Sequence, residues 1–436
     1  MRTATTRTLA AVTGAVTLSV LAGPVPAAAS PVGTPPARIL VVTDTGVGNA
    51  ALSPDGTVFN LVAPELHVYG PGTAGVAPPD KVITGLNAPS LSPPSFDPSA
   101  GLATAISQPE PAVVVIDPRQ PAGSAVPVRT IVGPQTRIEA PTAVTWAPDG
   151  SLWVVDQDAD GDPGRELLHF PPGADGDAVP DRVIVGGSTR LADLGGGPVL
   201  DSLPDGSVVV GAISLQSGVL VFGPAQNGNV APARRLTPVL PGTSHAQYGA
   251  AADSRGRIYV AMADLDNDDW GTVAVYAAGA TGAAAPVFEL TGPASGLHTV
   301  LLPSVATDGG LLVGDVQLFD SNATGAQRLL EFAPLPYAPS AARKLRAKSS
   351  RTKVKFRWRH PADRGHATIS RYLVTVTKGK RTVVRASVPG SKRKLVVARS
   401  RLPRGRVTLT VTAVNVAGPG AAAVKKFRRL GTGPGS

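Results

Sequence analysis

One phrase recurs along the front of this chain and restricts it to a repeat architecture: an apolar run, an Asp-Gly turn, and a second strand. It reads Ala51-Leu52-Ser53-Pro54-Asp55-Gly56-Thr57-Val58, then Val144-Thr145-Trp146-Ala147-Pro148-Asp149-Gly150-Ser151-Leu152-Trp153, then Leu203-Pro204-Asp205-Gly206-Ser207-Val208. Weaker copies turn at Asp97 to Gly101, at Asp253-Ser254-Arg255-Gly256 and at Asp308-Gly309, which makes six turns. Asp suits such a hairpin because its side chain can bond its own backbone, and Gly accepts positive φ. The run before each turn is almost continuously apolar or small, as a strand packed on both faces requires.

A second phrase follows each turn: an alternating strand that ends in an aromatic or apolar residue, in most copies followed by a Gly or Pro turn. Examples are Leu66-His67-Val68-Tyr69-Gly70-Pro71, Leu167-Leu168-His169-Phe170-Pro171-Pro172 and Val219-Leu220-Val221-Phe222-Gly223-Pro224. Val114-Val115-Ile116-Asp117-Pro118, Val273-Ala274-Val275-Tyr276 and Leu329-Leu330-Glu331-Phe332 complete a set of six. The copies return every ~45–56 residues, a blade spacing rather than a solenoid spacing. The chain enters in mid-repeat and the segment from Arg328 to Pro334 supplies the missing strand, an offset that leaves no sheet edge exposed. Residues 38–335 therefore resemble NHL-repeat and related six-bladed β-propellers. That resemblance implies a fold and no particular chemistry.

From Pro339 the texture changes. Lys353-Val354-Lys355-Phe356-Arg357-Trp358 alternates strictly, and Pro361 follows. Next come Ile369-Ser370-Arg371-Tyr372-Leu373-Val374-Thr375-Val376, a Lys-Gly turn, Leu402-Pro403-Arg404-Gly405, and Val407 to Val416 with Asn415 and Gly418. Over residues 338–428 this resembles a fibronectin type III domain, with Thr408 where the family places its corner tyrosine. The expected fold is thus all-β: a six-bladed propeller and a C-terminal fibronectin type III-like sandwich. The 49 Gly and 43 Pro in a chain that is still 43% hydrophobic fit many short strands and tight turns.

Charge divides at the same boundary. Residues 337–436 hold 26 Lys+Arg and one acid, Asp363, out of 41 basic and 31 acidic residues in all, so the front holds 15 basic and 30 acidic. Such asymmetry marks two domains with different surfaces. At the N-terminus, Arg2 and Arg7 precede an uncharged run from Leu9 to Leu21, and Ala27-Ala28-Ala29 offers small residues for cleavage. That pattern is a secretory signal peptide over residues 1–29, shorter than the ~20 apolar residues of a membrane span. Residues 30–37 read as a linker and 429–436 as a disordered tail. The chain has no Cys, so neither disulfides nor thiol chemistry is available to it.

The sharpest local chemistry is Asp156-Gln157-Asp158-Ala159-Asp160-Gly161-Asp162. Alternating carboxylates followed by Gly can wrap a hard cation, so Asp156, Asp158, Asp160 and Asp162 are the expected ligands for Ca²⁺. A weaker acidic loop carries Asp264, Asp266 and Asp268. Acidic, solvated loops are the plainer reading of both. His245 and His298 precede inner-strand runs and are the candidate catalytic residues. Similarity to virginiamycin B lyase-like propellers would imply a His and a Glu with a divalent metal on that face. Glu139 and Glu289 are the carboxylates nearest by repeat position. His67 and His169 fall on outer strands, where a surface or packing role is expected.

There is no G-x-S-x-G elbow, H-E-x-x-H helix or phosphate loop. The expected function is a secreted, extracellular, monomeric binding or scaffold protein. Its propeller face takes a ligand, with a protein partner among the options, and its basic sandwich holds an anionic cell-wall polymer or polysaccharide. Nucleic acid is disfavoured because the few aromatics read as buried. The alternative is a lyase or hydrolase acting on a saccharide or cyclic peptide at the propeller channel mouth.

Overall fold

The computed structural model describes residues 34–42, 49–86, 93–106, 110–157, 164–214, 218–239, 245–264, 271–316, 327–403 and 405–427. The signal peptide and the extreme tail read from the sequence lie outside them. The chain is all-β, with short 3-10 turns and no α-helix among the described residues.

Its front part is a series of antiparallel four-strand meanders, three of them extended at an edge by a short parallel strand. Sheet I comprises Ala50–Leu52, Val58–Val62, Glu65–Tyr69 and Lys81–Thr84. Sheet II comprises Ser95–Asp97, Gly101–Ile106, Ala112–Ile116 and Pro127–Ile131. Sheet III runs through Pro141–Trp146, Leu152–Gln157, Arg165–Phe170 and Arg182–Ile184. Sheet IV holds Pro198–Ser202, Val208–Ser214, Val219–Phe222 and Arg234–Pro238; sheet V holds His245–Ala252, Ile258–Asp264, Thr272–Tyr276 and Phe288–Leu290. The pairs Ile213–Tyr248 and Ser214–Gln247 join IV and V, with the parallel edge strand Gly282–Ala284, into one curled nine-stranded sheet. Sheet VI takes Thr299–Val305, Leu311–Val316 and Gln327–Phe332, then a fourth strand from the other end of the chain, Arg38–Val42. That strand pairs antiparallel from Arg38 opposite Glu331 to Val42 opposite Gln327.

The first strand of each sheet lies against the first strand of the next, and that of VI against that of I. Each inner strand is thereby packed on both faces, which is why its sequence is small and apolar instead of alternating. Between sheets the second, third and fourth strands interleave large side chains: Trp153, Phe170, Phe222, Tyr259, Tyr276, Phe288 and Phe332 are all under 2% exposed. Burying one such side chain is worth ~1.5–3 kcal/mol, so with no disulfide these seams hold the front of the chain together.

The turns follow the residues that predict them. In sheet I the Gly56 N–H donates to Ser53 O at 3.0 Å, Gly56 sits at φ 85°, and Thr57 N–H donates to Asp55 Oδ1 at 3.0 Å. The same bonds recur at Gly150 with Asp149 and at Gly206 with Asp205. An added Cβ at the left-handed φ of these glycines would be strained.

Behind Tyr337 stands a sandwich of two sheets. One holds Arg343–Ser349, Lys353–Arg359 and Lys394–Ala398; the other holds Arg371–Lys378, Arg381–Pro389, Val407–Asn415 and Gly418–Phe427. Val354, Phe356, Trp358, Tyr372, Val374, Val376 and Leu409 fill the space between them. Trp358 is 4% exposed with its ring edge-on to Tyr372 at 5.3 Å, a core residue as its place in the alternation predicts. Thr408, at the corner-tyrosine position, lies in a strand opposite Thr377.

Candidate functional site

Strict alternation in Lys353–Arg359 sends Val354, Phe356 and Trp358 inward and Lys353, Lys355, Arg357 and Arg359 outward. Pairing then decides what faces what. Lys348 stands opposite Lys355, Arg346 opposite Arg357, Arg343 opposite Arg359, and on the other side Lys394 opposite Arg357. Like charges directly across a sheet destabilise it. The neighbouring Arg357, with Lys394, Lys353 and Lys348, accordingly pulls the Lys355 pKa below its ordinary value.

No carboxylate of the sandwich offsets this face, because the one acid of residues 337–436 is committed elsewhere. Asp363 accepts the Tyr337 hydroxyl at 2.7–2.8 Å and the Gly365 N–H at 2.9 Å, and pairs with Arg255 of the front domain at 3.0 Å. The Tyr337 ring lies under Arg255, whose guanidinium carbon is 3.9 Å from the ring centre. Arg257, buried with Asp253, donates to the carbonyl of Pro336 at 3.1 Å. Asp363 is thus a latch to the front domain.

Among the described residues, Asp156, Asp264, His245 and His298 lie at the other end of the sheets from the Asp-Gly turns. Asp156 ends the second strand of sheet III, is 2% exposed, and accepts N–H bonds from Glu139 at 3.1 Å and Ala140 at 3.0 Å. Burial pushes its pKa up to about 7, aided by Glu166 and Glu139 and opposed by the two amides. Asp156 therefore spends its oxygens on holding the backbone ahead of the inner strand. Asp158, Asp160 and Asp162, like Asp266 and Asp268, lie outside the described residues. His245 and Asp264 stand opposite each other in sheet V. Among the described residues no three His, Cys, Asp or Glu side chains group as a metal site.

His298 repeats the Asp156 arrangement in sheet VI. Its N–H donates to Asp315 Oδ1 at 2.5 Å, two residues ahead of the residue paired with Asp315, as Glu139 is with Asp156. Arg328 bonds Asp315, donates to Gly296 O at 2.8 Å, and places Nη2 2.9 Å from His298 Nδ1. The same Nδ1 lies 3.5 Å from Asp315 Oδ2. The carboxylate that accompanies His298 is therefore Asp315. Glu289 lies on the outer strand of sheet V opposite Ala274, and Glu139 belongs to sheet III. Sequence reasoning missed Asp315 and Arg328. The available signal was a carboxylate inside the wholly buried run Leu311–Val316. His67 and His169 are packing residues: His169 is 2% exposed, bonds Ser151 at 2.8 Å and meets the Trp153 ring at 4.6 Å.

Where the inner strands converge, a cavity of about 90 Å³ is lined by small apolar residues with Ser95, Thr145, Ser304 and Asp201. These polar groups bind the next sheet. Leu52 N–H donates to Ser304 Oγ at 3.3 Å, Trp146 N–H to Ser95 Oγ at 3.1 Å, and Ala252 N–H to Asp201 Oδ2 at 2.7 Å. Burial pushes the Asp201 pKa up to about 7, against two backbone N–H bonds.

No protein-family model matches the chain, and no curated protein matches it. Among solved structures it is similar to domains d3–d4 of the rat CD45 extracellular region, at 17% identity and TM-score 0.21, covering 23% of this chain and 55% of that one. It is similar to the fourth FNIII domain of a human protein, at 21% identity and TM-score 0.20, covering 27% of this chain and 97% of that one. A third similarity is to the Clostridium perfringens spore cortex lytic enzyme SleM, at 19% identity and TM-score 0.19, covering 29% of this chain and 38% of that one. This chain spans about half the length of the CD45 fragment and less of the enzyme. It is an all-β protein with FNIII-like neighbours among solved structures.

Proposed function

We propose that this chain is a secreted, extracellular binding protein whose basic sandwich holds an anionic cell-wall polymer or polysaccharide. The observation that carries the proposal is the outer face of Lys353–Arg359 and its neighbours. Basic residues stand opposite basic residues there, and the domain's single acid is spent on the latch. A solvated surface gains nothing from like charges in register, whereas a polyanion turns each of them into an attraction. The test is retention of the full chain on immobilised anionic polymer in a salt gradient. Retention that does not weaken with salt would overturn the proposal, since screening shortens to ~3 Å at 1 M.

In the same proposal the six sheets are the blades of an NHL-like propeller that presents a ligand face. The cyclic contact of the inner strands and the pairing of Arg38–Val42 with Gln327–Glu331 support that reading. Binding is favoured over a lyase or hydrolase by what surrounds the histidine: the Asp315 beside His298 is held by Arg328 and by a backbone amide. Export is proposed from the N-terminal sequence. Sequencing of protein recovered from medium is expected to begin near Ser30, and an intact Met1 would remove the argument.

Calcium at residues 156–162 is a proposal from sequence alone. Added Ca²⁺ at a hundredfold excess over Kd should stabilise the fold by about 2.7 kcal/mol, read as a rise in Tm. Asp158→Asn with Asp160→Asn should abolish that rise. Identical melting curves in chelator and in Ca²⁺ would leave an acidic loop and no site.

A further inference from the structure

Sheets I and II enclose a groove of about 520 Å³ at their Asp-Gly turn end. Its floor is Phe59, Val68 and Phe96, with the two phenyl rings 4.9 Å apart, and Pro98 and Pro118 form one wall. That volume suits a specific ligand rather than stray solvent. The corresponding groove between sheets V and VI is filled by the chain itself.

The correspondence is one of register. Phe59 pairs with Ala51 as Tyr259 pairs with Ala251, one residue before the end of the inner strand. Ile116 pairs with Leu102 as Phe332 pairs with Leu311, so Pro118 and Pro334 both lie two residues beyond. After Pro334 the chain runs on as Leu335-Pro336-Tyr337 and fills the V–VI groove. Leu335 is 1% exposed and packed with Tyr259, Arg257 donates to the Pro336 carbonyl, and Tyr337 stacks on Arg255. After Pro118 the chain turns away instead. Arg119, at the Leu335 position, has a side chain 82% exposed and paired with Asp117, and the I–II groove stays open.

We infer that the groove between sheets I and II binds an extended peptide segment of a partner protein, carrying an apolar residue, then proline, then Lys or Arg. The apolar residue takes the Leu335 place over Phe59 and Phe96, and proline favours the extended conformation at low entropic cost. The basic residue follows from charge. Two cations also line the groove, but Lys81 donates to the carbonyls of Pro118 and Gln120 and Arg119 is paired with Asp117. Where Arg255 meets Tyr337 in the filled groove, the open one presents Asp55, with Asp80 on the same rim. Asp55 uses Oδ1 for its own turn and Asp80 uses Oδ2 for Gly70 and Thr73, so each keeps a second oxygen for a ligand. Hydrogen bonds hold both pKa values below the ordinary carboxylate value, and both are therefore anionic. None of this rests on the polymer-binding proposal, which concerns the sandwich.

The test is titration of the full chain with the blocked peptide Ala-Pro-Leu-Pro-Lys by calorimetry, beside a scrambled peptide. Saturable binding is expected, roughly tenfold weaker for Phe96→Ala and for Asp55→Asn. Asp55→Asn keeps an acceptor for the Thr57 N–H, so it stays informative should Phe96→Ala fail to fold. Three outcomes would overturn the inference: no binding up to millimolar peptide, equal binding of the scramble, or binding that neither variant weakens. Saturation by indole without peptide binding would do so as well, and would assign the groove to a small ring compound.

Discussion

Changing Lys353, Lys355, Arg357 and Lys394 together to Gln is expected to weaken binding of an anionic wall polymer by about a thousandfold at low salt. A basic side chain near an anionic surface contributes ~1 kcal/mol, and four of them ~4 kcal/mol. Counterion release sharpens the expectation. Each phosphate that the variant no longer neutralises should reduce the slope of log K against log salt by ~0.7–0.9, so the variant's slope should be shallower by about 3. The control removes the same charge from the other sheet, at the exposed Arg371, Lys378, Arg381 and Arg385. Equal losses from the two variants would mean diffuse attraction to a basic domain, and the face would have no special role. The quadruple face variant should also melt no lower than wild type, because Lys348–Lys355 and Arg357–Lys394 are repulsive pairs in the unbound protein. A face retained against its own repulsion is what distinguishes a binding surface from a solubility device.

Much of the fold was legible because its determinants are local. An Asp-Gly pair closes its own turn through Asp Oδ1 and a glycine at positive φ, within five residues and without help from the rest of the chain. Alternation in Lys353–Arg359 likewise separates the buried face from the basic one before any partner strand is known. What could not be read depends on register. Arg346 and Lys394 join the basic face only through the pairing of three strands. His298 acquires Asp315 and Arg328 through cross-strand neighbours, where sequence offered Glu139 and Glu289 by repeat position. Asp363 looked like a lone exception in a basic tail. Its meaning lies in Arg255 and Tyr337, a contact between domains that no spacing along the chain encodes. The filling of one groove by Leu335 and the emptiness of its counterpart became visible only when the two registers could be superposed.

Stability should change with pH between about 4 and about 7 in a way that isolates Asp156 and Asp201. Both carboxyls are pushed up to about 7 in the folded protein, chiefly by burial, from an ordinary value of 3.8. Glu166 and Glu139 add to the effect at Asp156, and Asp253 adds to it at Asp201. A carboxyl raised in this way holds its proton in the folded state after the unfolded chain has lost it. Folding then takes up protons, and stability falls as pH rises from the unfolded value toward the folded one, levelling off above it. At 1.36 kcal/mol per pH unit the ceiling is about 4 kcal/mol for each group. His169 and His360 work in the opposite direction, since burial lowers their pKa values and their contribution is lost as pH falls below 6.5. The comparison must therefore be made against Asp156→Asn with Asp201→Asn, which leaves both histidines in place. Relative to wild type the double variant should gain several kcal/mol in denaturant midpoint analysis between pH 4 and pH 7, and no more above pH 8. The Asp-Gly turn carboxylates do not blur this window: the pKa values of Asp55, Asp149 and Asp205 are lowered, so their contributions vary only at more acid pH. A difference between variant and wild type that is flat from pH 4 to pH 8 would show that the two carboxylates are ionised throughout. Their amide bonds to Ala140 and Ala252 would then outweigh burial at the ends of the inner strands.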